Sequence, residues 1–133
     1  MENASIEYPT RGHLLALIPA YNEASRISPV IAATGEYLPV LVVDDGSTDD
    51  TAAVAAAAGA NVKTVNPNQG KGAALRAGFR QAIDDGYDAV VTLDADGQHD
   101  PAEIPKFLDA YDRLGSDLII GKRDFSDMPL IRR

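Results

Sequence analysis

The sequence predicts an α/β protein with a mostly parallel sheet and helices on both faces of that sheet. Five short apolar runs alternate with segments of helical periodicity, which is the pattern of repeated strand–helix–strand units. Each apolar run is followed by polar or charged residues. In such a sheet, ligands bind outside the carboxyl ends of the strands, so these polar clusters are the candidate functional residues.

The predicted strands share a short apolar run bounded by polar residues, proline or glycine: residues 13–18, 40–43, 62–65, 87–93 and 117–120. The predicted helices fill the intervals after the first four strands: residues 28–37, 47–59, 71–86 and 101–115. Pro29 and Pro101 stand in first turns, where proline is tolerated. Ser47 or Thr48 is the expected N-cap of the alanine-rich second helix. Residues 124–133 follow the last strand and give no pattern that we can assign, so we expect Arg132 and Arg133 in a solvated tail.

Length and charge restrict the function. A chain of 133 residues is expected to form one domain with a real core. The formal charge of −8, with only 12 scattered Lys and Arg, argues against a nucleic-acid groove. Cysteine is absent, which excludes a disulfide framework and a thiolate nucleophile. The first ten residues do not resemble a signal peptide, and no apolar stretch is long enough to span a bilayer, so we expect a soluble, cytoplasmic protein.

Polar clusters follow the predicted strands in the order of the chain. They comprise residues 21–23, 44–45, 69–72, 94–99 and 122–123. Because parallel strands point the same way, all of these clusters are expected at one edge of the sheet. This convergence is the strongest sequence evidence for a functional site.

Asp94 and Asp96 are the most informative of these residues. One Asp-x-Asp is expected about 1.7 times by chance in this composition, so the spacing alone is weak. Its context is more specific, because an apolar strand precedes it and Gly97 permits a sharp turn after it. Two carboxylates at a strand end suit a hard divalent cation that keeps water and phosphate oxygens as its other ligands. The alternative is an ordinary strand-to-helix turn with Asp100 as N-cap.

Several other site types can be judged from the sequence. An EF-hand fails because its sixth position is His99, not glycine. Residues 70–73 match neither a Walker A loop nor the dinucleotide-binding fingerprint. A phosphatase with Asp94 as nucleophile and Asp96 as acid stays open by geometry, although no other residue supports it.

Four segments together resemble family 2 glycosyltransferases: I-P-A-Y-N-E at 18–23, V-V-D-D-G-S-T-D at 42–49, N-Q-G-K-G at 68–72 and L-D-A-D-G-Q-H-D-P at 93–101. Within that family, the last segment is similar to polyprenyl- or dolichol-phosphate hexose synthases, which transfer mannose or glucose. The resemblance implies a Rossmann-like GT-A domain over residues 1–123, a nucleotide-diphosphate sugar donor (GDP- or UDP-hexose), and Mg²⁺ or Mn²⁺. It also implies inverting transfer, with a polyprenyl phosphate as a candidate acceptor that is already anionic and needs no general base.

Motif matching assigns roles to individual residues. The resemblance implies nucleotide contacts by five residues: Pro19, Tyr21, Glu23, Val42 and Asp44. It places Asp94 and Ala95 at the donor site, Asp96 and Gln98 on the metal, and Arg123 near the diphosphate or the sugar. We add Asp45 and Lys71 as donor-binding candidates, Asp94 as a second metal ligand, and Asp96 as the catalytic carboxylate.

Each assignment has a simpler rival. Tyr21 could only cover the sheet edge, Asp44 or Asp45 could cap the next helix, Lys71 could be solvated, and His99 could be a loop hydrogen-bonder. The rival function is a module that binds a nucleotide sugar or a partner without catalysis. Because the pattern ends near residue 123, we expect a truncated donor-binding domain with weak transfer activity of its own. Self-association and contact with a membrane surface that carries the acceptor are further expectations.

Overall fold

The sheet at the centre of the protein has six strands in the order β3-β2-β1-β4-β6-β5. The structure is a computed structural model that describes residues 14–98, 100–114, 118–119 and 130–132. The strands are β1 (Leu14–Ala20), β2 (Val40–Asp44), β3 (Asn61–Thr64), β4 (Ala89–Thr92), β5 (Leu118–Ile119) and β6 (Leu130–Arg132). The first four pair in parallel, whereas β6 runs antiparallel to both β4 and β5.

Helices cover both faces of this sheet. The α-helices are α1 (Ile27–Thr34), α2 (Thr51–Ala57), α3 (Lys71–Asp84) and α4 (Ile104–Leu114), and a 3₁₀ turn, Pro101–Glu103, leads into α4. Side chains of β1 alternate between two hydrophobic clusters, as the period of two in a strand requires. Leu14, Ala16 and Ile18 join the cluster that includes residues of α1, α2 and α4, and Leu15 and Leu17 join the cluster under α3.

Helix α3 packs closely on the middle of the sheet because Gly78 lacks a side chain. A Cβ atom at Gly78 would lie 2.4 Å from Cδ1 of Leu17, which is too short for any real contact. Leu17 itself is fully buried. The glycine therefore allows α3 to lie close to β1 at this point.

The predicted fold class is confirmed, and strands β1 to β5 lie within two residues of their predicted bounds. Two expectations were wrong. Helix α2 begins at Thr51, with Asp50 at its N-cap position, and not at Ser47 or Thr48. Arg132 lies in β6 rather than in a tail, because Leu130–Arg132 pairs with Ala89–Val91 of β4.

Pro19 does not end β1, although the sequence suggested that it would. Proline cannot donate to a ladder, so it is rare in central strands. The parallel ladder between β1 and β4 ends at Leu17 and Thr92, followed by one further bond from the Leu93 amide to the Leu17 carbonyl, 3.0 Å. The missing amide of Pro19 therefore falls on the side where pairing has already stopped. This leaves an opening between the ends of β1 and β4.

That opening is the point where the strand order reverses. From β1 the chain moves outward through β2 to β3, and then α3 carries it back to β4 on the other side of β1. Ligands of open α/β sheets bind at such a switch point. Among the described residues, no helix combines the length and apolar content that crossing a bilayer requires.

Candidate functional site

A cleft of about 250 Å³ lies at the carboxyl ends of β1 and β4. Nine residues line it: Pro19, Ala20, Tyr21, Glu23, Asp45, Lys71, Asp94, Ala95 and Asp96. All of them except Ala20 were predicted site residues. The structure therefore brings together four of the five predicted clusters, as parallel strands ending at one edge should.

Lys71 and Asp94 form an ion pair across this cleft. The Lys71 Nζ donates to Asp94 Oδ1 at 2.7 Å. Lys71 lies in the first turn of α3, and Asp94 follows β4. The lysine side chain is 62% exposed and that of Asp94 is 27% exposed, so the lysine can exchange Asp94 for another anion at little cost. Lys71 is therefore paired with a carboxylate, and it is not simply a solvated lysine.

Asp96 lies in the turn after Asp94, and its side chain is partly exposed. Its Oδ1 accepts a hydrogen bond from the Gln98 amide at 3.0 Å. Gly97, with φ +84°, makes this tight turn possible. The hydrogen bond between Asp96 Oδ1 and the Gln98 amide thus stabilises the turn from which the Asp96 carboxylate lines the cleft.

Asp45 holds the segment before α3 and is almost fully buried. Its Oδ1 accepts from the Gln69 amide at 2.8 Å, and its Oδ2 accepts from the Gly70 amide at 2.8 Å and from Asn68 Nδ2 at 2.9 Å. A carboxylate that already has three donors fixes the start of α3, and with it the position of Lys71. The alternative that Asp44 or Asp45 caps α2 is not seen, since Asp50 takes the N-cap position of that helix and Asp44 Oδ1 accepts from the Ser47 amide.

The loop between β1 and α1 is tied to the turn that precedes α2. Asn22 adopts a positive φ of 54°, and its amide donates to Ser47 Oγ at 2.8 Å. The Thr48 amide donates to Asn22 Oδ1, also at 2.8 Å. The sequence predicted Ser47 or Thr48 as a helix cap. This prediction missed the link, because the partners are 25 or more residues apart.

Asp49 and Thr51 extend the same link. The Glu23 amide donates to Thr51 Oγ1 at 2.9 Å, and the Ala24 amide donates to Asp49 Oδ2 at 3.2 Å. The Thr51 hydroxyl donates to Asp49 Oδ1. This bond from the Thr51 hydroxyl holds the pKa of Asp49 below its ordinary value. Desolvation opposes the shift, and hydrogen bonds from the amides of Thr51 and Ala24 add to it.

Among the described residues, three other candidates do not line the cleft through their side chains. Val42 is fully buried in the core, and Asp44 is buried as well, so neither offers an accessible side chain there. Gln98 is exposed beside Asp96. Arg123 lies outside the described residues, as do His99 and Lys122. Asp100 does cap the 3₁₀ turn, since its Oδ1 accepts from the Ala102 amide at 3.0 Å.

Within the described part of the chain, no group of three or more His, Cys, Asp or Glu residues is arranged to hold a metal ion. A cation at Asp94 and Asp96 would therefore need most of its ligands from a bound molecule and from water, as Mg²⁺ usually does.

Residues 16–132 match the family model of glycosyl transferase family 2. Over 131 residues, the chain is 37% identical to a polyprenol monophosphomannose synthase of Mycolicibacterium smegmatis, covering 92% of this chain and 49% of that protein. It is also 37% identical, over 118 residues, to an undecaprenyl-phosphate mannosyltransferase of Micrococcus luteus, covering 83% of this chain and 48% of that protein. The chain thus spans about half the length of the curated relatives it matches.

Solved structures of similar fold include glucosyl-3-phosphoglycerate synthase of Mycobacterium tuberculosis. In its complex with Mn²⁺, UDP and glucosyl-3-phosphoglycerate, that enzyme gives a TM-score of 0.69 at 29% identity, over 83% of this chain and 43% of that chain. A complex of the same enzyme with Mg²⁺ and UDP gives a TM-score of 0.68 at 29% identity, with the same coverage. The likeness confirms the Rossmann-like GT-A architecture expected from the sequence.

Proposed function

Since the chain belongs to glycosyltransferase family 2, we propose that its cleft binds the nucleoside diphosphate of a sugar donor together with Mg²⁺ or Mn²⁺. The donor is a UDP- or GDP-hexose, and the reaction is inverting transfer of the hexose to a polyprenyl phosphate. Support for the donor and metal comes from the structural neighbours solved with UDP and Mn²⁺ or Mg²⁺. Support for the acceptor comes from two relatives, a polyprenol monophosphomannose synthase and an undecaprenyl-phosphate mannosyltransferase.

The charge of the cleft is the observation that carries this proposal. Four of its lining residues are carboxylates, namely Glu23, Asp45, Asp94 and Asp96, and one is an ammonium, Lys71. A diphosphate is itself an anion, so it would be repelled from this cleft if it came alone. A divalent cation bound with the diphosphate reverses that repulsion, because the carboxylates then attract the complex.

The residues present fit such a cation. Asp96 offers a carboxylate at the cleft from a fixed turn, and Asp94 lies two residues before it on the same turn. Gln98 adjoins Asp96 and is exposed, so its side-chain amide oxygen is a further candidate ligand. The cation would stabilise the charge that develops on the departing nucleoside diphosphate.

Lys71 supplies positive charge to the diphosphate in this scheme. In its ion pair with Asp94 the lysine side chain is 62% exposed, so exchanging the carboxylate for a phosphate oxygen costs little. When Lys71 turns to the phosphate, the Asp94 carboxylate can approach the cation. The move of Lys71 to the phosphate and the move of Asp94 to the cation depend on each other. The cleft should therefore bind the donor and the metal together more tightly than it binds either one alone.

The uncharged lining suits the rest of the nucleotide. Pro19, Ala20 and Ala95 form an apolar part of the cleft wall, and Tyr21 is 47% exposed at its rim. An exposed aromatic ring beside a cleft can stack on a nucleobase. We assign Tyr21 to the base, and we assign Glu23 to a hydroxyl of the ribose or the base.

With a polyprenyl phosphate as acceptor, none of the cleft residues has to act as a general base. Its phosphate oxygen is already anionic and can attack the anomeric carbon directly, whereas a sugar hydroxyl would need a base. An acceptor of this kind is held in a membrane, so the protein would act at a membrane surface.

Calorimetric titration with UDP and GDP, each in Mn²⁺ and in EDTA, tests the proposal. We expect one of the two nucleotides to bind in Mn²⁺ and to bind much more weakly in EDTA. Equal affinity in both buffers would refute the role of the cation. Incubation with the labelled nucleotide sugar and a polyprenyl phosphate then separates transfer from binding alone.

A further inference from the structure

We propose that Asn22 and Thr51 are positioning residues that hold the β1–α1 loop in the conformation that binds the donor. This inference rests on the proposed function, because its effect is measured on nucleotide affinity. Neither residue lines the cleft. Both act on Tyr21 and Glu23, which line the cleft.

Three consecutive backbone amides of the loop, those of Asn22, Glu23 and Ala24, donate to side chains from the turn before α2 and from the first residue of α2. Their acceptors are Ser47 Oγ, Thr51 Oγ1 and Asp49 Oδ2, at 2.8, 2.9 and 3.2 Å. Side chains that are 25 to 28 residues away in sequence therefore define the path of this loop. Because Tyr21 and Glu23 flank Asn22, the same three bonds define where their side chains enter the cleft.

The side chain of Asn22 also accepts hydrogen bonds from the turn before α2. Its Oδ1 accepts from the Thr48 amide at 2.8 Å and from the Thr48 hydroxyl at 3.3 Å. Its backbone has a φ of 54°, a conformation that asparagine tolerates better than most residues. The backbone bends at Asn22, between the two cleft residues.

Thr51 is the buried part of the link. Its side chain is fully buried, and its hydroxyl both accepts from the Glu23 amide and donates to Asp49 Oδ1. Asp49 in turn holds the Ala24 amide. Loss of the Thr51 hydroxyl would leave the Glu23 amide without this acceptor and would remove one of the two bonds from Thr51 to Asp49 Oδ1, the other being donated by the Thr51 amide at 2.9 Å. The cost therefore falls on the loop that carries Glu23.

Thr51→Val and Thr51→Ser form the matched pair that tests this role. Valine keeps the β-branched shape and removes the hydroxyl, whereas serine keeps the hydroxyl and removes a methyl group. The probe is UDP or GDP with Mn²⁺, whichever the unmodified chain binds. We expect Thr51→Val to weaken this affinity about tenfold, while Thr51→Ser stays within about threefold of the unmodified chain.

A second pair covers the case in which Thr51→Val fails to fold. Asn22 is exposed, and Asn22→Gly accepts the positive φ while losing the bond to Thr48. Asn22→Asp keeps an oxygen acceptor for the Thr48 amide. We expect a loss of about tenfold for glycine and at least partial rescue by aspartate. Gln81→Ala is the control, because it removes exposed hydrogen bonds to Asp85 away from the cleft, and its affinity should be unchanged.

Hydrogen exchange without nucleotide provides an independent measurement. Thr51→Val should accelerate exchange of the Glu23 and Ala24 amides while the amides of β1 and β2 stay protected. Unchanged exchange and unchanged affinity in Thr51→Val, or equal losses in the serine and valine variants, would overturn the positioning role. If the unmodified chain bound neither nucleotide, the proposed function itself would fail, and this inference with it.

Discussion

The ammonium group of Lys71 lies 2.7 Å from Oδ1 of Asp94, and this pair connects the first turn of α3 to the end of β4. The contact joins the two sides of the cleft. It also distinguishes the two carboxylates of the Asp94-Ala95-Asp96 turn, because Asp94 has a cationic partner there and Asp96 accepts from a backbone amide. The lysine and both carboxylates are therefore expected to respond differently to substitution.

Lys71→Met should weaken Mn²⁺-dependent nucleotide binding, because the diphosphate loses its cationic contact from the protein. Its free energy of unfolding should change by less than about 1 kcal/mol, since exposed ion pairs contribute little. The matched control is Lys106→Met, which removes the exposed pair with Glu103 at 3.1 Å and should leave nucleotide affinity unchanged. Calorimetric titration and urea unfolding measure the two effects. A Lys71→Met variant with full affinity would contradict the assignment.

Asp96→Asn should abolish most of the Mn²⁺ dependence of nucleotide binding while the fold stays intact. The substitution keeps the shape of the side chain and removes the negative charge that attracts the cation. Asp100→Ala, four residues further on, should instead lower stability by about 1 kcal/mol through loss of an N-cap. Its nucleotide affinity should not change. The reverse pattern would show that the metal ligand had been assigned to the wrong aspartate.

Asp45→Asn should destabilise the protein by about 1 to 3 kcal/mol. The new amide group would face hydrogen-bond donors from residues 68–70, because the buried carboxylate accepts from three of them. Nucleotide affinity should fall as well, since these bonds fix the start of α3 and hence Lys71. Asp85→Asn, at an exposed position after α3, should change stability by no more than about 0.5 kcal/mol. Urea unfolding of both variants makes the comparison.

Gly78→Ala should destabilise the protein even though alanine is the better helix former. The gain in helix propensity is about 1 kcal/mol, but the added methyl would overlap Leu17, with Cδ1 and Cδ2 at 2.4 and 2.7 Å. Overpacking of this kind costs about 1 to 3 kcal/mol. Gly72→Ala meets only a flexible arginine end at 3.6 Å, so it should be neutral or slightly stabilising. A more stable Gly78→Ala variant would mean that α3 can move away from the sheet freely.

The stability difference between the unmodified chain and Asp49→Asn should depend on pH. Hydrogen bonding, first of all from the Thr51 hydroxyl, lowers the pKa of Asp49 in the folded chain from its ordinary 3.8. A depressed folded pKa stabilises the folded state at pH values above the unfolded pKa, and this contribution is lost as the pH falls through the folded value. The advantage over Asp49→Asn should therefore be full at pH 6 and shrink below about pH 4. A constant difference would contradict the lowered pKa.

The sequence was sufficient to predict where the first five strands lie along the chain and most of the residues that line the cleft. Apolar runs such as residues 40–43 are recognisable by composition, and parallel strands place the residues that follow them at one edge. The link between Asn22 and Ser47 could not be predicted, because it depends on how two loops lie beside each other. Strand β6 was missed because Leu130–Arg132 has only three residues, too few for a period of two to be detected.

At the end of β2, the nucleotide contacts that the resemblance implies stay predictions. Motif matching placed Val42 and Asp44 at the nucleotide, but both side chains are buried. Asp45 was assigned to the donor, and its carboxylate is engaged by residues 68–70. A motif identifies positions that matter without saying whether each one contacts a ligand or holds the residue that does.

The position of β6 between β4 and β5 also affects how the protein can fold during its synthesis. Strands β1 to β4 can pair in the order in which they leave the ribosome, since each adds to a strand that is already present. The described residues of β5 pair with β6 alone, and β6 is made later. A nascent chain that stops short of Leu130 would therefore have a β4 edge without its antiparallel neighbour, and β5 would have no sheet to join.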